Sequence, residues 1–193
     1  MANVQHSAIT DPNIHEPKGV SSAAAGKVYV ANGSGSGSWQ YISGHAYGEL
    51  YISNNSTAQA LAAASALAKL NPTGAWTANG NQNVTLSASN GTITVLQAGE
   101  YQLNFWAVFE TASIASGAAY NFHYAVGTTP STRKVYAKKT TNNVDTLHVH
   151  ATGMATFAAN DVISMYVGGD GTSSGTNLII KEAGLSIVLV DPA

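Results

Sequence analysis

The sequence predicts an all-β protein, a sandwich or barrel of many short strands preceded by an arm that has no core of its own. Three observations carry this. Glu100 to Phe109 alternates with period two: Tyr101, Leu103, Phe105, Ala107 and Phe109 face one way, Gln102, Asn104, Trp106 and Val108 the other. Short β-prone runs recur from Gly44 onward, roughly 8–15 residues apart and divided by turn residues. Met1 to Ala25 shows no sustained period of 2 or 3.6, and Asp11-Pro12 and Glu16-Pro17 favour an extended backbone there, because each proline disfavours helix at the residue before it.

Taken in order, Lys27-Val28-Tyr29-Val30 and Trp39-Gln40-Tyr41-Ile42 flank the Gly/Ser-rich stretch Ala31 to Ser38 and predict a small hairpin. The arm and hairpin together make one unit, residues 1–43, and residues 44–193 make the other. In the second unit Glu49 to Ser53 is the first strand. Asn83 to Ser87 and Thr92 to Leu96 form a hairpin about Asn90-Gly91, a pair that supplies the left-handed backbone a tight turn needs. Ala119 to Val126 repeats the alternation with Tyr120, Phe122, Tyr124 and Val126. Arg133 to Lys139, Thr146 to Thr152, Val162 to Val167, Leu178 to Lys181 and Leu185 to Val190 complete the set. Ser56 to Leu70 reads two ways: as a helix, from its Ala/Leu content and Ser/Thr cap, or as a loop leading to a strand at about Leu67 to Asn71.

Of the 193 residues only 9% are charged, while 45% are hydrophobic. A typical soluble protein carries roughly 25% charged residues. So neutral a surface predicts coverage by sister subunits or a larger assembly. The formal net charge of −2 does not call for nucleic acid or an anionic membrane. Cysteine is absent, which removes disulfide scaffolds, thiol catalysis and Cys-ligated zinc, and fits folding in a reducing cytosol. Met1 to Thr10 shows no secretory pattern, and Leu61 to Leu70, interrupted by Ser65 and Lys69, is too short to span a bilayer, so no membrane insertion is expected.

Few residues point to chemistry. His148 and His150, at i and i+2 of a strand, project from one face. Three such pairs about a threefold axis could hold a metal; the plainer reading is two histidines on an exposed or inter-subunit face. Gly168-Gly169-Asp170-Gly171 resembles one unit of a calcium repeat but occurs once, with Ser173 where aspartate is needed, so a tight loop is expected. Gly33, Gly35 and Gly37 match neither nucleotide fingerprint. Arg133, Lys134, Lys138 and Lys139 predict a solvated edge strand, with contact to an acidic partner or glycan as the alternative. The carboxylates are scattered and no Gly-x-Ser-x-Gly or His-Glu-x-x-His run exists, so the expectation is a protein that is not an enzyme and needs no cofactor.

Two stretches carry a family resemblance. Ala98-Gly99-Glu100-Tyr101-Gln102-Leu103-Asn104-Phe105, then Asn160-Asp161-Val162-Ile163-Ser164-Met165-Tyr166-Val167 and the closing Gly184 to Val190, resemble the C1q/TNF-like jelly roll over about Gly44 to Val190. Ile9 to Val20, with Ala24 to Val30 and Gly33 to Trp39, looks like the N-terminal segment of small tailed-bacteriophage structural proteins. Gly48-Glu49-Leu50-Tyr51-Ile52 is similar to phage fibre and decoration modules. In those modules the region of Leu67–Asn71 is a strand.

The resemblance implies an all-β, C1q/TNF-like jelly-roll sandwich preceded by an extended N-terminal arm and small β-hairpin. It implies a homotrimer that decorates the capsid: a cement or head-fibre protein, made in the host cytoplasm and carried on the virion exterior. The arm would bind the phage major capsid protein. Val4, Ile9, Ile14 and Val20 are spaced as apolar anchors, and Asp11, Pro12, His15, Glu16, Pro17 and Lys18 complete the capsid-anchoring set. The alternative is a receptor-binding fibre head, with Thr111 to Ala118 and Gly168 to Thr176 as loops for a host-surface glycan or protein.

Overall fold

The structure, a computed structural model, describes residues 27–31, 34, 37–41, 45–61, 66–72, 74–111, 117–169 and 177–192. The chain divides into two units, Met1–Ser43 and Gly44–Ala193. The ten residues expected to anchor the arm on a capsid, from Val4 to Val20, lie outside the described residues. In the first unit, β1 (Lys27–Ala31) and β2 (Gly37–Tyr41) form the expected hairpin, antiparallel and in register from Lys27↔Tyr41 to Ala31↔Gly37. Tyr29 and Trp39 face each other across it, edge to face at 5.5 Å between ring centroids.

The second unit is a sandwich of two six-stranded antiparallel sheets, the jelly-roll arrangement. The strands are β3 (Tyr47–Ile52), β4 (Ala58–Ala60), β5 (Ala68–Lys69), β6 (Trp76–Gln82), β7 (Val84–Ser87), β8 (Thr92–Val95) and β9 (Gly99–Thr111). They continue with β10 (Ala119–Val126), β11 (Thr129–Lys138), β12 (Thr146–Phe157), β13 (Val162–Gly169) and β14 (Asn177–Pro192). The first sheet runs β12-β9-β14-β3-β6, with β4 added along β14. The second runs β11-β10-β13-β8-β7, with β5 added along β13.

Alternation in β9 sends Tyr101, Leu103, Phe105, Ala107 and Phe109 inward, all buried. Tyr120 and Phe122 of β10 meet them from the other sheet, Phe109 lying 5.5 Å from Tyr120 and 5.0 Å from Phe122. Ile163, Met165 and Val167 of β13 and Leu185, Ile187 and Leu189 of β14 fill the rest of the layer. Each large side chain so buried stabilises the fold by about 1.5–3 kcal/mol. Tyr101 keeps its hydroxyl satisfied by donating to the Gln97 carbonyl at 2.7 Å.

The turns follow local chemistry. Gly91 has a φ of 58°, and Trp76 packs where a Cβ at Gly91 would stand, so glycine meets two demands at the end of the Asn-Gly turn. Asn160 takes a φ of 73°, and Asp161 accepts the Ala158 amide at 2.8 Å, fastening the turn into β13.

Of the two readings of Ser56 to Leu70, the strand reading holds: β5 lies at Ala68–Lys69, the short strand β4 precedes it, and the described residues of 56–70 include no helix. Two departures from the sequence reading stand out. The segments Leu178–Lys181 and Leu185–Val190 are one strand, β14, whose register shifts between Ile180 and Glu182 and again between Leu189 and Asp191. Lys139, expected on a solvated edge, is fully buried just beyond β11.

Candidate self-association face

The outward residues of the first sheet come from the same alternation that builds the core. On β9 these are Gln102, Asn104, Trp106 and Val108, and the register sets out their neighbours in rows. One row is His150, Trp106, Gly184 and Tyr51. The next is Thr152, Asn104, Ser186 and Glu49. A third ends in Gln102, Val188 and Tyr47. Tyr47 and Val188 stand directly opposite each other, 42% and 45% exposed.

Most of the charge lies at the ends of this face. Glu110, Lys181 and Glu182 lie at one end, with Lys181 and Glu110 paired at 3.5 Å, and Glu100 and Asp191 lie at the other. Between them Glu49 is the only carboxylate, and it accepts from the Asn79 side chain at 2.7 Å. A shallow groove of about 350 Å³ runs beside Tyr47, Glu49, Asn79 and Val188. Aromatic and apolar side chains on either side of a polar row, with few charges between the ends, suit a protein–protein interface.

His148 and His150 sit on this face, exposed, opposite Val108 and Trp106 on β9. Two imidazoles do not complete a metal site, which takes three or four protein ligands. Among the described residues no group of three or more His, Cys, Asp or Glu side chains comes together within the chain.

The sandwich is open along its β11–β12 edge. A cavity of about 220 Å³ there reaches the core side chains Leu103, Phe105 and Tyr124. Arg133 closes part of it, donating from Nη1 to the Met154 carbonyl at 2.6 Å.

The sequence reading missed a node around Lys139. Its ammonium donates to Thr111 Oγ1 at 2.8 Å and to the Asn143 carbonyl, and lies 3.8 Å from Asp145 Oδ2. Asp145 accepts the Thr141 hydroxyl and the amides of Thr140 (3.0 Å) and Thr141 (3.2 Å). These bonds hold its carboxyl below the usual aspartate range, the Thr141 hydroxyl contributing most, against partial desolvation that pushes the other way; the Lys139 charge adds a smaller downward pull. Backbone bonds extend the node: Lys139 N–H to the Ala118 carbonyl, Gly117 N–H to that of Lys139, and Thr111 N–H to that of Asp145. Thr111, Gly117 and Ala118 bracket the first of the two sequence-predicted loops. Residues 112–116 of that loop and 170–176 of the second lie outside the described residues.

Comparison with solved structures places the sandwich. The globular domain of zebrafish complement 1qA protein superposes with a TM-score of 0.51 at 12% identity, covering 77% of this chain and 99% of that one. The fold is a C1q/TNF-like jelly roll. Eiger TNF from S. frugiperda (TM-score 0.47, 9% identity, 77% of this chain and 95% of that one) and murine APRIL at pH 5.0 (0.45, 9%, 75% and 99%) are also matched. No protein-family model and no curated protein sequence matches the chain.

Proposed function

We propose that the chain is a non-enzymatic virion protein of a tailed bacteriophage, a homotrimer that decorates the assembled capsid. The arm, residues 1–43, binds the major capsid protein and the jelly roll is displayed outward, on the virion exterior. The observation that carries the assembly is the first-sheet face, where Trp106 and Tyr51 on one side and Tyr47 and Val188 on the other flank a polar row whose only charge is Glu49, and the other charges lie at the ends. Burying that face in a closed ring accounts for a chain with so few charged residues. The arm's resemblance to phage structural proteins supports the shell as partner, and three weak arm contacts on one trimer combine into strong avidity. Binding to assembled shell alone stabilises that shell by mass action. In such a ring the His148 and His150 pairs of three subunits lie on the shared face, where they could meet about the axis.

The test is a pull-down on empty phage capsids, using the full-length protein and a version beginning at Gly44, with mass photometry of each. Trimers of both, with shell binding by the full-length form alone, support the reading. A protein that is monomeric, or trimeric but indifferent to shells with or without the arm, overturns the decoration role.

The Lys139 node favours a second reading, a receptor-binding fibre head. Its bonds pin both ends of the Thr111 to Ala118 loop, the support a recognition loop for a host-surface glycan or protein requires.

A further inference from the structure

The two sheets divide the charge between them. None of the six strands of the second sheet, β5, β7, β8, β10, β11 and β13, contains an aspartate or glutamate. The first sheet holds Glu49, Glu100, Glu110, Glu182 and Asp191, with Lys181, paired to Glu110, as its one lysine or arginine. The second holds Lys69, Arg133, Lys134 and Lys138.

Register gathers three of these cations on one surface. Lys134 pairs with His123, His123 with Tyr166, and Tyr166 with Lys69, so one row crosses the outer face from β11 to β5. Along β11, Lys134, Tyr136 and Lys138 project from that same face. Tyr136 is 67% exposed, the most exposed large hydrophobic side chain among the described residues. Neither of the two ion pairs among those residues involves Lys69, Lys134 or Lys138. Lys69 is also partly desolvated, and that burial lowers its pKa below the usual lysine value. An anion placed beside it would restore the stabilisation its ammonium has lost.

The spacing favours one class of anion. Lys134 and Lys138 lie four residues apart on a strand, about 13 Å, with the phenol of Tyr136 midway. Duplex DNA carries one charge per roughly 1.7 Å of axis, far denser than this row of cations matches. A bilayer surface would call for a cluster of apolar side chains to insert. Among the described residues the large exposed ones on this face are only Tyr136 on β11 and Leu67 beside β13, on opposite sides of β10. A linear acidic sugar polymer fits better. It offers a C–H face to stack on the phenol and anionic groups to either side.

We infer that the outer face of the second sheet binds a linear acidic polysaccharide, laid along β11 with one ring on Tyr136 and its anionic groups on Lys134 and Lys138. The inference is independent of the capsid reading, since it uses neither the arm nor the first-sheet face. Carboxylate and sulfate bind the same lysines, so the experiment carries both.

The full-length protein is titrated calorimetrically at physiological salt with an alginate dodecasaccharide, a heparin dodecasaccharide and an oligothymidylate of equal length. At least one saccharide binds. The paired substitution Lys134→Gln/Lys138→Gln weakens it ~10-fold or more. Tyr136→Ser weakens it about 5-fold while Tyr136→Phe does not. All are exposed strand positions, and unchanged melting temperatures confirm that the fold is kept. Alginate binding alone assigns carboxylate as the recognised group, and heparin binding alone assigns sulfate. The inference is overturned if neither saccharide binds, if the glutamine pair binds as the parent does, or if oligothymidylate binds equally and Tyr136→Ser changes nothing.

Discussion

The indole of Trp106 lies against Gly184 on the adjacent strand, in the space that a Cβ at Gly184 would claim. The pair sits in the central row of the first-sheet face, between His150 and Tyr51. A strand glycine normally weakens a sheet. Here it lets a large aromatic ring lie flat, so the face presents a broad low surface.

Gly184→Ala therefore forces the indole off its seat and destabilises the protein by about 1–3 kcal/mol, as overpacking does. In the Trp106→Ala background the same change costs much less, a coupling of about 0.5–3 kcal/mol. Urea unfolding of the four proteins in the cycle measures it. Additive effects would mean that the two residues do not share this space.

Lys139→Met removes the donor to Thr111 and Asn143 while leaving Asp145 in place. We expect a loss of about 2–3 kcal/mol, less than for a fully buried pair because Asp145 keeps some contact with water. The neighbouring Lys138→Met, at an exposed position, stays within about 0.5 kcal/mol of the parent. Denaturant midpoints compare the two directly.

Acid should weaken the same node. The Asp145 carboxyl is held below its ordinary value of 3.8 in the folded chain. A depressed folded pKa contributes stability that is present above the unfolded value and lost as pH falls from there through the folded one. Melting temperature followed from neutral pH down past 3.8 falls more steeply for the parent than for Asp145→Asn. Parallel curves would show that Asp145 is not linked to stability.

Val188→Lys places a charge within the proposed interface while changing an exposed side chain. It should alter the subunit's own stability by less than about 0.5 kcal/mol and convert the assembly to monomers. Mass photometry reads the outcome. An unchanged oligomer would move the contact elsewhere on the sandwich.

Much of the sandwich could be read from the chain because alternation is a local signal. Tyr101 to Phe109 and Tyr120 to Val126 announce both their strands and their inward faces. β6 was missed for the same reason: after Trp76 its sequence, Thr-Ala-Asn-Gly-Asn-Gln, has no apolar alternation, and its pairing with β3 is what makes it a strand. Lys139 was misplaced because nothing near it in sequence distinguishes it from Lys138. Its acceptors include Thr111, 28 residues earlier, and a long-range polar node leaves no periodic trace. The outward face of β9 was visible as a pattern, but the close fit of Trp106 on Gly184 depends on strand order, which local sequence does not specify.

The place of β14 bears on how the protein is made. It is the last strand in this sequence, yet it lies between β9 and β3 in the middle of the first sheet. During synthesis those two strands leave the ribosome with their facing edges unpaired, and they stay open until residues 177–192 arrive. Among many nascent sister chains, an open edge is an invitation to pair with the wrong strand. A late, central insertion of this kind makes production sensitive to temperature and expression rate, since both set how long the gap stays open.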